Sequence, residues 1–326
     1  MRKIALVVVL VVGMAMVFGG GQQEGKKLEF SASTGGMSAS SPGGQGMAKF
    51  AEKVAEYSNG TIEIKVFYDT TLGSPSSMVS GMQQGTIDFG VCGDAYYSSL
   101  VPEIQVFELP YMFDSVAEAR AAVAGPAGQA ISEKLAKKGI QPLTFWEIGF
   151  RNLTNSKKAV NSPADLKGLK VRTLPATFQV KAWESAGAIP VPMDVSELYS
   201  ALQQGVVDGQ ENPLSEIYNQ RFHEVQKFMS LTAHVYTPML FSAGGQTWAR
   251  LTAEQQEIIK RAAKDAQAVV YSVNDTENAN YLKNIKAAGV TVNENPDRQA
   301  FKSLMSGSQS LFSTQYGDEM LKLLNK

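Results

Sequence analysis

Apolar and polar positions alternate with period two in several short runs, and with a helical period between them. Leu28 to Ser33 and Thr61 to Tyr68 (TIEIKVFY) read as strands, and Met47, Phe50, Ala51, Val54 and Ala55 mark one face of a helix ending near Ser58. Asn59-Gly60 then breaks that helix. A helix at Pro75 to Gln84 is stopped by Gly85 and followed by a strand from Thr86 to Val91. Val106 to Phe113 is apolar but holds Pro110, so it is expected to cross the core without joining a central strand. Ala117 to Lys138 reads as helix, weak at Gly125-Pro126, and Ile140 to Ile148 as a strand leading into Arg151. Leu169 to Thr173 and Ile189 to Val191 are expected strands; Ala176 to Ala186, Val195 to Gln204 and Ser215 to Phe222 are expected helices. His234 to Phe241 reads as an extended segment. Strands alternating with helices indicate an α/β fold with a mostly parallel sheet.

Two stretches repeat one pattern. MVSGMQQGTIDFG (Met78 to Gly90) and LYSALQQGVVDGQ (Leu198 to Gln210) lie 120 residues apart. Each is a helix ending in Gln-Gln-Gly, then two residues of strand character, then Asp. The pattern predicts two lobes, each with its own α/β core, with a strand at Val206 to Gly209 in the second. From Ala253 to Ala288 the helical period runs almost unbroken, with a capping box at Thr252 and Gln255 and a stop at Gly289. At ~1.5 Å per residue such a helix spans roughly 54 Å, enough to strap both lobes. A strand at Val290 to Val292 and helices at Asp297 to Leu311 and Tyr316 to Leu324 complete the chain.

The N-terminus follows another rule. Arg2 and Lys3 precede an apolar run from Ile4 to Phe18, too short for a membrane span, and Val17 and Gly19 suit a cleavage site. Residues 1–19 are therefore expected to be a secretory signal and 20–27 a tether. Cys92 is the single cysteine, so no intramolecular disulfide forms; its apolar context predicts a buried, inert thiol. Lys plus Arg is 30 against 31 Asp plus Glu, a net charge of −1, which gives no global claim on nucleic acid. Two histidines, His223 and His234, and one cysteine cannot build a histidine-rich or thiolate metal site. GMSAS misses the nucleophile elbow, GGQGMA misses the third glycine of a dinucleotide loop, and no phosphate-binding P-loop occurs. No cofactor, no metal and no catalytic set is expected.

Three residues carry candidate binding chemistry. Arg151 and Arg172 each end an apolar run before a polar turn, where α/β sheets present groups to ligands. A guanidinium matches a carboxylate with two parallel hydrogen bonds and stays charged at any working pH. Either arginine suits a ligand anion or a structural carboxylate. Asn212, in ENP, offers a donor and an acceptor, although Asx-Pro is also an ordinary turn.

The strings GFRNLTNSKKAV, SPADLKGLKVRTLP, GAIPVPM, SELYSALQQGVVDGQENP and EVQKFMSLTAHVYTP, with GTIDFG and ELPYMF before them, closely resemble the DctP-type solute-binding proteins of TRAP transporters over residues 28 to about 290. The resemblance implies a two-lobed periplasmic-binding-protein fold of the type II-like class. Lobe I would comprise 27–148 plus 238–251, lobe II 149–237 plus 290–326, and a bracing helix 252–289. It implies that Arg172 bridges a solute carboxylate, that Arg151 supports it and that Asn212 touches the solute. Ser33, Thr34 and Tyr236 are expected to line the cleft. Two positions depart from many relatives: LGSPSSMV lacks their acidic residue, and Asp194 follows PVPM. Asp194 offers an acceptor to an amine or hydroxyl, or caps the helix from Val195. The expected solute is a sugar acid, small dicarboxylate, keto acid or amino acid, delivered by a monomeric periplasmic protein to the TRAP permease subunits. A ligand presenter for a signalling receptor, an ABC-type binding protein and an exported hydrolase are the alternatives; the last needs a nucleophile–base pair not visible here.

Overall fold

The computed structural model describes residues 27–324; the expected signal and nearly all of the tether lie outside the described residues. Its strands are β1 (Leu28–Ser33), β2 (Ile62–Phe67), β3 (Phe89–Gly93), β4 (Ile140–Phe150), β5 (Asn152–Asn155), β6 (Lys170–Thr173), β7 (Ile189–Pro192), β8 (Gly209–Asn212), β9 (Phe228–Ser230), β10 (Tyr236–Gly244) and β11 (Thr291–Asn293). Its helices are α1 (Pro42–Tyr57), α2 (Pro75–Gln84), α3 (Val116–Ala124), α4 (Pro126–Ala136), α5 (Thr177–Ser185), α6 (Val195–Gln203), α7 (Leu214–Asn219), α8 (Gly245–Arg250), α9 (Ala253–Ala287), α10 (Arg298–Met305), α11 (Gly307–Tyr316) and α12 (Glu319–Leu324).

Two sheets form, in strand orders β2-β1-β3-β10-β4 and β11-β9-β5-β8-β6-β7. β1 is parallel to β2 and β3, as βαβ crossovers require, whereas β10 lies antiparallel between β3 and β4. The chain leaves the first sheet after Phe150 and returns at Tyr236, opposite Phe150 in the β4–β10 ladder. Arg151 sits at the outgoing crossing, where its backbone N–H donates to the Val235 carbonyl at 2.8 Å. Gly149, with φ +114°, supplies a backbone turn there that a side chain would resist.

The repeated pattern folds into one device twice. Gly85 and Gly205 both take positive φ and end their helices. Both strands begin after the aspartate, later than the sequence pattern places them, because each aspartate holds a neighbouring strand by its backbone. Asp88 accepts from the Ser31 N–H at 2.9 Å, and Asp208 from the Lys170 N–H at 2.9 Å. The residues read as strand starts, Thr86-Ile87 and Val206-Val207, instead bond back to Gly81 and Ala201.

The long helix forms over 35 residues with the expected capping box. Ile259, Ala262, Ala263, Ala266 and Val270 pack into the core that holds Phe50, Trp146 and Phe241, while Ile285 packs with Ile217 and Met229 beside the second sheet. One element therefore braces both sheets. Ala55, expected on the buried face of α1, is exposed. The single helix expected at 117–138 divides at Gly125-Pro126, and the C-terminal region forms three helices. Met320, on α12, joins the first sheet's core against α4 rather than staying beside the second sheet. β5 and β9, of four and three residues, are too short for their period to announce them.

Candidate functional site

A cavity of about 30 Å³ lies where the sheets face each other. Gly35, Met37, Cys92 and Tyr96 reach it from the first sheet; Arg172, Val195, Asn212 and Glu216 from the second; Ile148, Arg151 and Thr237 from the crossing strands. Gly35 has φ +55°, and a Cβ there would stand 2.7 Å from the Val91 carbonyl, so only glycine lets this loop approach so closely.

Arg172 is fully buried in β6. Its Nε and Nη2 donate to the Met193 carbonyl at 3.0 and 2.7 Å, and Nη2 reaches the Tyr96 hydroxyl at 3.4 Å. Both acceptors are neutral. Nη1 is buried without a hydrogen-bond partner, and no carboxylate pairs with Arg172 among the described residues. Leaving a buried guanidinium nitrogen unsatisfied is costly. The Met193 carbonyl occupies the Nε side of the fork, so the Nη1 corner remains for an anion.

Arg151 differs. It is buried, and its Nε and Nη2 pair with the Glu211 carboxylate, with the Nη2–Oε1 bond at 2.9 Å. Nη1 donates to Thr237 Oγ1 at 3.1 Å, and Nη2 donates to Asn212 Oδ1 at 2.9 Å. Its charge is therefore already matched by a structural carboxylate, one of the two outcomes open in the sequence. Asn212 is fixed from both ends, because its Nδ2 donates to Gln210 Oε1 at 2.6 Å. His234 completes the cluster: Nε2–H donates to Glu211 at 3.0 Å and Nδ1 accepts from Thr232 Oγ1 at 2.8 Å. Burial holds His234 below its ordinary pKa, against the pull of Glu211, so the imidazole is neutral. Burial pushes Glu211 up, but the Arg151 charge and the His234 and Arg151 hydrogen bonds outweigh it and hold Glu211 at about 2.

Ser33, Thr34 and Tyr236 are not among the lining residues. Side chains alternate along β10, so Thr237 faces the cavity and Tyr236 turns behind it. There Tyr236 donates to Glu147 at 2.6 Å, beside Arg120. Ser33 accepts from the Gly35 N–H at 3.3 Å and Thr34 donates to the Met37 carbonyl at 2.5 Å; both shape the loop that brings Gly35 to the wall. Asp194 precedes α6 but makes no side-chain cap, and its Oδ1 is buried without a partner. It stands one residue from the wall, which Val195 provides.

The residues missed in the sequence are acids. Glu216 is buried on α7 and lines the cavity. Burial raises it to about 7, although Arg151, Gln220 and Arg172 all favour its charged form. Asp94 and Glu108 are also buried and raised, chiefly by burial, and both Asp94 oxygens lack partners. Nothing in local spacing marks Glu216, since an acid on a short helix usually faces water; burial of Ser215, Glu216 and Ile217 together is a tertiary fact.

The signs of these shifts predict opposite pH responses. A raised carboxyl stabilises the fold fully below about pH 4.5, and that contribution is lost as pH rises through about 7. In solute-free protein, Glu216→Gln is therefore expected to add about 3 kcal/mol at pH 8 and little at pH 4.5, read by urea unfolding. An equal gain at both pH values contradicts the assignment. Cys92, buried and pushed up by burial, is expected to react with thiol reagents only on unfolding. Rapid labelling of the native protein would show otherwise.

The profile of the DctP family, bacterial extracellular solute-binding protein family 7, matches residues 34–312. The 2,3-diketo-L-gulonate-binding periplasmic protein YiaO of Escherichia coli K12 is 33% identical over 281 residues, covering 85% of this chain and 86% of that one. The sugar acid binding protein DctPAm of Advenella mimigardefordensis, solved with galactonate, is 32% identical with a TM-score of 0.89, over 92% of this chain and 97% of that one. A TRAP periplasmic solute-binding protein of Sulfurospirillum deleyianum, solved with succinate, is 29% identical with a TM-score of 0.86, over 92% and 98%. With two sheets facing a shared cavity and a family profile spanning most of both, the chain belongs to the DctP family of TRAP transporter solute-binding proteins.

Proposed function

We propose that this protein captures a small carboxylate-bearing solute between its lobes and presents it to a TRAP membrane permease. The observation that carries the reading is that Arg172, which lines the cavity between the two sheets, has a buried Nη1 without a partner. A solute carboxylate supplies the missing acceptor, and each such charge-assisted bond contributes on the order of 1.5–3 kcal/mol. Asn212 offers the solute a fixed amide. Arg151 acts by positioning: it holds Asn212 and Thr237 while Glu211 balances its charge.

The cavity is small and partly open, and in this reading the lobes part further to admit the solute. Movement about the crossings near Phe150 and Tyr236 opens it, and closure expels water and strengthens the ion pairing. The hydrogen bond from Gln220 Nε2 to the Gly36 carbonyl at 2.5 Å joins the two sides when shut. In this reading the division is lobe I, 27–148 with 238–251, and lobe II, 149–237 with 290–326, except that α12 packs against lobe I. The N-terminal 19 residues direct export to the periplasm, and the protein works as a monomer without catalysis.

A thermal-shift series across sugar acids, dicarboxylates, keto acids and amino acids tests the reading. At one hundred times Kd, a bound solute stabilises the fold by about 2.7 kcal/mol. Melting temperatures unmoved by every carboxylate, or raised equally by matched uncharged sugars, would remove it.

A further inference from the structure

We infer that Glu216 makes this cleft selective for hydroxy monocarboxylates and rejects dicarboxylates of the same length, by accepting a hydrogen from a solute hydroxyl where a second carboxylate would otherwise sit. The inference rests on the carboxylate-capture reading above and narrows it to one chemical class.

The charge balance of the cavity carries it. Among the described residues, three formally charged groups line the cavity: Arg151, Arg172 and Glu216. Arg151 is matched by Glu211 through two side-chain bonds. Arg172 meets only neutral oxygens and keeps Nη1 free. Arg172 is thus the one cavity cation with no ion-pair contact, open to a single solute carboxylate, and an ionised Glu216 already offsets its charge. Glu216 shares the same small enclosure, and its carboxyl feels both Arg151 and Arg172. A second solute carboxylate would meet this acid with no further cation to offset it, and like charges brought together across a binding site weaken binding by orders of magnitude. A solute hydroxyl can instead donate to Glu216 while its carboxylate pairs with Arg172. Gln220, at the end of α7 with its N–H on the Glu216 carbonyl at 3.0 Å, donates through Nε2 to the Gly36 carbonyl and so ties the acid's helix to the opposite lobe.

Calorimetry with matched acids tests this at pH 8. D-galactonate against galactarate, and D-erythronate against meso-tartrate, differ only in a terminal hydroxymethyl or carboxylate. Wild-type protein is expected to bind the monocarboxylate at least about 100-fold more tightly in a pair, and Glu216→Gln to shrink that ratio below about 10-fold. Glu216→Gln is close in shape, and its circular dichroism melt shows that the fold is intact. Equal or tighter binding of the dicarboxylate by wild type, a ratio unmoved in Glu216→Gln, or binding of neither monocarboxylate would overturn the inference. An Arg172→Ala arm separates it from its foundation. Binding lost in Arg172→Ala with an unmoved ratio in Glu216→Gln overturns only the selectivity; binding that survives Arg172→Ala overturns the capture reading itself.

Discussion

Arg172→Ala is expected to weaken solute binding by roughly 10²–10⁴-fold, the loss of two charge-assisted hydrogen bonds at about 1.5–3 kcal/mol each. Arg172→Lys is expected to lose nearly as much. Lysine carries the charge but not the planar fork, and the fork lets Met193 hold Nε and Nη2 while Nη1 stays without a protein partner. Neither variant should unfold the protein. Arg172 makes no carboxylate pair among the described residues, so its removal strands only the Met193 carbonyl and the Tyr96 hydroxyl. Calorimetry on both variants with the acid that most stabilises wild type checks this. Lysine restoring full affinity would reduce the site to a point charge.

Glu211→Ala is expected to act on stability instead, costing about 3–5 kcal/mol, because it leaves Arg151 charged and buried without a partner. Glu211→Gln keeps the shape and should cost less, though it still forfeits the charge. The wild-type dependence on pH follows from the same pair. Glu211 sits at about 2 in the fold against an ordinary value near 4.5. Its contribution is therefore complete above about pH 4.5 and lost as pH falls toward 2. Urea unfolding at pH 7 and pH 3 should show wild type losing stability on acidification, with Glu211→Gln losing less. A Glu211→Ala protein as stable as wild type at pH 7 would mean that Arg151 needs no buried counter-charge.

These two results separate arginines that look alike in the sequence. Arg151 and Arg172 both end apolar runs, and local pattern assigns neither its partner. The partner of Arg151 is Glu211, 60 residues away and beside it only because β5 and β8 pair antiparallel, with Leu153 opposite Glu211. Arg172 lacks such a partner because the register of β6 sets Val191 and Gln210 beside it. Register is a tertiary fact, and so is the burial of Glu216.

What the sequence did make legible was regular. Long amphipathic periods located α1, α2 and α9, and the glycine stops located their ends. The repeat announced two similar units correctly but misplaced their strands, because an aspartate bonded to a neighbouring backbone looks the same as one inside a strand. The resemblance places Tyr236 at the cleft; alternation along β10 puts Thr237 on the cavity wall instead. The short strands β5 and β9 have too few residues for any period to show.

A crystal structure of the protein with its most stabilising carboxylic acid tests the central claim most directly. The account predicts a carboxylate oxygen about 2.7–2.9 Å from Nη1 of Arg172, inside the closed cavity. A carboxylate held elsewhere, with Nη1 still unpartnered or turned to a protein acid, would contradict it.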